Sequence, residues 1–284
     1  MRIHHCYKII VIAILATTCM YAQQPTYELK LGRKMKEFDR YLLKTTYESS
    51  TRTKLYINGN LQGDSLEKFT VVLNAQCEIV SVTVDGQEKE KRLVIRDFRK
   101  LTSHDTVDLL PNGTKIRCWF SDSGSVYTIN DAPTSDALSA VLVEVVKGEG
   151  GSRTGSVLDA KKPVAVGASW KMNIPAFRKV LGPAMSKLMK KINGTVTFAS
   201  IDTTGPLKTA TVVAKAEAPN FTLYFGDFPS KASLVAEFCI VVPLDNRYPQ
   251  EGVTTTSTQL IDTKQGAARM EMVISSSRTA QFIR

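Results

Sequence analysis

Histidine is nearly absent from this chain of 284 residues: there are three, and His4 and His5 stand within the first five positions. That leaves His104 as the one imidazole for general-base chemistry, in Thr102-Ser103-His104-Asp105. Triad partners are usually brought together from distant positions, so His104 is expected to be a surface or capping residue. Cysteine is scarce too. After Cys6 and Cys19 the chain has only Cys77, Cys118 and Cys239, with no Cys-x-x-Cys spacing, which argues against a metal or thioredoxin-like site. Ser169 lacks the Gly-x-Ser-x-Gly setting of a nucleophile elbow, because Lys171 stands where the second glycine belongs. There is no phosphate-binding glycine loop, no His-Glu-x-x-His and no acidic calcium loop. No cofactor or metal is therefore expected, and the chain is not read as an enzyme. The alternative is a hydrolase with a carboxylate-based site, for example Asp105 with Asp108, since acid and base roles need only two carboxyls in unlike environments. With 27 acidic residues, such pairs are too easily found to single one out.

What is present begins with a leader. Arg2 and Lys8 precede the apolar run Ile9 to Ala16, and Met20-Tyr21-Ala22 fits a signal-peptidase site, so residues 1–22 are expected to be a signal peptide. Lipid anchoring at Cys19 is not favoured, because Thr18 occupies the place of a Gly or Ala. The expected location is the periplasm, the cell envelope or the exterior. No apolar run after the leader is long enough for a transmembrane helix. Of 37 basic residues, loss of Arg2 and Lys8 leaves 35 against 27 acidic ones, a net charge of +8. The basic residues are scattered, so nucleic acid is not an expected partner. Residues 23–37, with Lys30, Arg33, Lys34 and Lys36, read as a solvated basic arm. An oxidising compartment permits one disulfide, with Cys77 and Cys118 the favoured pair and Cys239 a small buried hydrophobe.

From Tyr41 onward, apolar residues recur at period two, punctuated by Asn58-Gly59, Asp85-Gly86 and Asn112-Gly113, the pattern of antiparallel strands and tight turns. The charged tip Glu88 to Arg92 reads as a solvated hairpin end. Ala137, Leu138, Val141, Leu142 and Val145 fall at helical spacing, with Asp131 or Thr134 as cap and Gly148 as stop. Gly148 to Ser152 then forms a loop. A second apolar face runs from Phe177 to Ile192, interrupted by Gly182-Pro183, which predicts a turn and then a helix from about Pro183. Strand patterns resume at Thr195 and continue to Ile283. The expected fold is mainly β (a β-rich α+β chain): an antiparallel curved sheet or half-barrel with two short helices packed on it, in two halves, 23–150 and 151–284.

Between the helical patterns lies Lys162 to Trp170, where Pro163 ends what precedes it and Gly167 turns the chain into Trp170. Pro163, Val164, Val166, Gly167, Ser169 and Trp170 resemble a Pro-Val-x-Val-Gly-x-Ser-Trp turn of a family of exported bacterial β-rich proteins of unknown function. In that family the turn opens the second half of the fold, so the resemblance implies a fold and no activity. Trp170 is expected to be buried where the two halves meet. By architecture alone, a sheet carrying helices is similar to the open half-barrel of the LolA and LppX lipoprotein carriers. The function expected is a non-enzymatic structural or binding module of the envelope, with a lipid carrier as the alternative and lipid or another envelope protein as partner. An apolar cleft would be lined by Phe177, Leu181, Met185, Leu188, Met189 and Trp170. Met185 and Met189 are adaptable contacts.

Overall fold

A computed structural model describes residues 25–29, 31, 35–84, 86–121, 124–146, 152–205, 208–225, 228–244, 252–265 and 267–283. The leader, most of the basic cluster at 30–34 and the expected boundary between halves lie outside the described residues. The first half carries β1 (Thr26–Tyr27), β2 (Arg40–Ile57), β3 (Asn60–Val82), β4 (Glu88–Thr102), β5 (Thr106–Asp108), β6 (Lys115–Ser121), β7 (Gly124–Ile129) and β8 (Ala132–Pro133). Helices α1 (Asp136–Val145) and α2 (Ser152–Leu158) follow. Then come β9 (Val164–Ala165), β10 (Ser169–Lys171), α3 (Ile174–Leu188), β11 (Asn193–Asp202), β12 (Thr209–Phe225), β13 (Phe228–Pro243), β14 (Gly252–Gln265) and β15 (Ala268–Ile283).

All strands except the β1–β9 pair join one antiparallel sheet in the order β10-β11-β12-β13-β14-β15-β2-β3-β4-β6-β7-β8, with β5 beside β4. Its outermost strands, β10 and β8, do not pair with each other, so the sheet stays open and does not close into a barrel. The order follows from the turns. Asn58 and Gly59 have φ of 51° and 81°, the two left-handed residues that a type I′ hairpin requires, and they fold β3 back along β2. The last strand then returns to the first long one: β15 lies along β2 from Ala268 opposite Ile57 to Ile283 opposite Leu42.

Period-two alternation gives the sheet a buried face. Val71, Leu73, Ala75, Cys77 and Ile79 of β3 are all buried, while Gln76 between them is exposed. Thr45, Ala280, Val253, Ile240, Val212 and Phe198 are successive neighbours across β2, β15, β14, β13, β12 and β11, so they share one face. Two apolar clusters lie on that face. One gathers β2, β3, β4 and β6 under α1; the other gathers β11, β12 and β13 under α2 and α3, with Leu29 and Leu31. Both clusters are roofed by helices on the same side. Arg278 of β15 donates from Nη2 to the carbonyl of Val145 at 3.2 Å, placing a cation at the C-terminal end of α1, whose own last turn has none.

Several expectations are corrected. The arm is not a solvated tether where it is described: Leu29, Leu31 and Met35 are buried, and the Leu31 amide donates to Asp159 Oδ1 at 2.8 Å. Apolar residues between the cations drew it onto the sheet. The tip Glu88 to Arg92 is not solvated throughout: Lys91 is 0% exposed and Glu88 and Glu90 are buried, while Lys89 and Arg92 are exposed. Irregular register between Ile79 and Val82 lets β4 start with charged residues on the core face. Ser135, not Asp131 or Thr134, caps α1, accepting from the Leu138 amide. A third helix, α2, begins at Ser152, the last residue of the expected loop, and runs through a stretch for which no element was expected. Helix α3 runs unbroken through Gly182-Pro183 from an Asn173 cap, with Pro175 in its first turn. Pro183 removes one amide donor, but Arg178 reaches along the helix to the carbonyls of Ser186 at 2.8 Å and Lys190 at 2.6 Å, and Phe177, Leu181 and Met185 hold the helix to the cluster.

Candidate functional site

The six residues expected to line an apolar cleft do come together, but as core. Phe177 is 5% exposed and Met189 1%, and Trp170, Leu181, Met185 and Leu188 are half-buried against the same cluster. Phe177 meets Phe238 edge to face at 6.3 Å between ring centres. The Trp170 indole donates to the Leu158 carbonyl at 2.8 Å, tying β10 to α2. Trp170 is not where the halves join: β10 is an outermost strand, and the halves join at β15 and β2. Gly167, at φ 86°, makes the bend that sequence reading assigned to it.

The opposite face of the first half is open, and there the sheet holds a concavity of about 830 Å³. That volume lies inside the usual range of small-molecule sites. Its floor is the backbone of β2, β3, β4 and β6, since Tyr41, Cys77, Leu93 and Ile116 point their side chains into the core behind. Alternation puts the intervening residues in the concavity. One row across the strands reads Ile283, Leu42, Gln76, Val94 and Lys115; the next reads Arg40, Glu78, Arg92 and Arg117. Arg96 is the extra residue of a β-bulge, because Ala75 pairs with Ile95 and the next residue, Asn74, pairs with Asp97. Bulges re-aim side chains, and Arg96 also lines the hollow.

The electrostatics are uneven. Arg40 is paired with Glu78 at 3.0 Å, and Arg117 Nε with Glu90 Oε1 at 2.5 Å while its guanidinium stacks on Trp119 at 4.7 Å. The bond to Glu90 holds the Arg117 pKa above its ordinary value, with Asp131 contributing from nearby. Arg92, Arg96 and Lys115 form no ion pair among the described residues. Three cations without an ion pair among the described residues thus flank Val94, at one end of the row that continues through Gln76 to Leu42 and Ile283. Sequence reading missed them by treating the basic residues as scattered. The signal was the alternation itself: Arg92, Val94 and Arg96 on one side of β4 and Lys115 and Arg117 on one side of β6.

Behind the floor lies a buried polar group. Lys91 Nζ is 3.3 Å from Glu88 Oε2, the Tyr41 hydroxyl donates to Glu88 Oε1 at 3.3 Å, and the ammonium lies 5.1 Å from the centre of the Phe120 ring. Burial pushes the neighbouring Cys118 thiol up to about 12, so it stays protonated and is a poor nucleophile. The expected bridge between Cys77 and Cys118 is absent; both are free. They belong to β3 and β6, strands about 9–10 Å apart at ordinary spacing with β4 between, and are offset by two residues along them, beyond disulfide reach. His104 lies exposed in the turn before β5, and Asp105 and Asp108 are exposed beside it.

No protein-family model matches this chain, and no curated protein does. Among solved structures, a lipovitellin structure described by its lipid–protein interactions is similar at 11% identity and a TM-score of 0.38, covering 87% of this chain and 26% of that one. The chain thus spans about a quarter of the length of that lipovitellin. OpdQ of Pseudomonas aeruginosa is similar at 9% identity and a TM-score of 0.21, covering 86% and 98%; an outer membrane channel of Pseudomonas putida F1 is similar at 12% and 0.17, covering 90% and 98%. These are distant likenesses and carry no argument about function.

Proposed function

We propose that this chain is an exported, non-enzymatic binding protein of the cell envelope, and that its ligand lies on the open face of the first half rather than beneath α3. The observation that carries this reading is the concavity formed by β2, β3, β4 and β6 opposite the helix-covered face. On the other face, packing against α3 already occupies the side chains that a lipid would need. Export follows from the leader pattern of residues 1–22. A partner recruited by strand addition is less well supported, because the outermost strands β8 and β10 are only two and three residues long and offer few unpaired backbone groups. Native mass spectrometry of protein purified from its own envelope tests the proposal. A chain beginning at Gln23 with a co-purifying apolar ligand is expected; a protein that stays bare after exposure to total envelope lipid overturns the binding role.

A further inference from the structure

We infer that the ligand of the open face is a single-chain amphiphile with an anionic head, a carboxylate or a phosphate, held by Arg92, Arg96 and Lys115 with its chain along Leu42, Val94 and Ile283. This rests on the reading that the open face is a binding site, and adds the chemical class. Two features of the hollow are otherwise unaccounted for. First, its aliphatic residues stay in water: Val94 is 37% exposed and Ile283 43%, Ile283 lies beside Leu42 on the adjoining strand, and the exposed Gln76 of β3 stands between Leu42 and Val94 in the same row. An apolar strip at the bottom of a hollow favours a guest that removes it from water. Second, the cations beside it are not neutralised. Arg92 faces Arg117 directly across β4 and β6, a like-charge pair that costs stability on a sheet unless an anion joins it. Glu78, on the other side of Arg92, is engaged by Arg40, and Glu90 is engaged by Arg117. Asp131, the remaining acid among the residues that line the hollow, acts on Arg117.

The positions suit a head and a tail. Lys115 adjoins Val94 in one row, Arg92 adjoins Arg117 in the next, and Arg96, at the bulge in the middle of β4 between the stretches paired with β6 and β5, lines the same hollow. Guanidinium groups offer paired donors that match carboxylate and phosphate oxygens. From these groups the row runs from Val94 of β4 past Gln76 of β3 to Leu42 of β2 and Ile283 of β15, toward the second half, so a chain lying along it meets aliphatic side chains on either side of one amide. A neutral ligand would leave the cations unmatched, and a small inorganic anion would leave the strip wet.

The test is calorimetric titration of the full exported chain with palmitate, lysophosphatidate, hexadecanol and inorganic phosphate. Palmitate or lysophosphatidate, or both, should bind at least tenfold more tightly than hexadecanol, and phosphate should neither bind comparably nor displace them. Replacing all three cations (Arg92→Gln, Arg96→Gln, Lys115→Gln) should weaken the charged amphiphiles at least tenfold with little change in melting temperature. Val94→Asp, at an exposed position, should do the same. Hexadecanol bound as tightly as palmitate, or a triple variant with undiminished affinity, overturns the anionic head while leaving a binding face. Phosphate bound as tightly as the amphiphiles overturns the acyl chain. If no amphiphile binds, the inference falls together with the binding role.

Discussion

An ammonium removed from water without a partner is among the costliest groups a core can hold, and Lys91 is tolerated through Glu88, which is in turn bonded by Tyr41. Replacing one member should therefore hurt more than replacing both. Glu88→Gln should cost about 3–5 kcal/mol, whereas Glu88→Leu with Lys91→Met should recover most of that loss, as for buried pairs exchanged for apolar residues of similar size. Chemical denaturation of the two variants measures both values. A single variant as stable as the native chain would show that the pair carries no such load. The sequence concealed this group because a run of alternating charges has the same composition on a solvated tip as in a paired interior. The period-two pattern, read one strand further, puts Lys91 and Leu93 on one face. What it could not supply is the register irregularity between Ile79 and Val82 that sets where β4 begins.

Elements were more legible than their limits. The Asn58-Gly59 turn, the buried series from Val71 to Ile79 and the helical spacing around Leu142 follow from local geometry, which sequence carries directly. Strand lengths do not. β2 and β3 run on through polar stretches, for instance Gln62 to Lys68, because pairing with neighbouring strands continues after burial ends. α3 crosses Gly182-Pro183 because tertiary packing outweighs one lost hydrogen bond. The same packing makes Gly194 exacting. A Cβ there would lie 2.8 Å from the Cβ of Met172, in the segment that leads into α3, where the Met172 amide already donates to the Gly194 carbonyl at 3.0 Å. Gly194→Ala should destabilise by about 1–3 kcal/mol, the usual cost of overpacking. Pairing it with Met172→Ala, which removes the sulfur 2.9 Å from the same point but keeps the Cβ, should not relieve the clash. Thermal melting of both variants decides this, and an unchanged melting temperature for Gly194→Ala would contradict the close approach.

At the scale of the molecule, the three described helices cover one face of an open sheet, and the concave part of the other face is left bare over the first half. The expected fold, a mainly antiparallel β chain with helices on it, matches this architecture. The expected cleft rested on an amphipathic helix, and such a stripe looks the same whether it roofs a core or a ligand. Only the arrangement of strands distinguishes the two, since it packs Phe177 and Met189 into the interior and sets Arg92, Arg96 and Lys115 around one hollow. The two tryptophans stand on the two sides of this question. Trp119 stacks on Arg117 at the edge of the open hollow, and Trp170 packs beside α2 and α3. Brominated stearate, a short-range quencher, can be titrated against two single-tryptophan chains, Trp170→Phe and Trp119→Phe, each first shown to melt cooperatively. Saturable quenching of Trp119 with Trp170 unaffected is the predicted result; quenching confined to Trp170 would put the ligand under the helices and contradict the account.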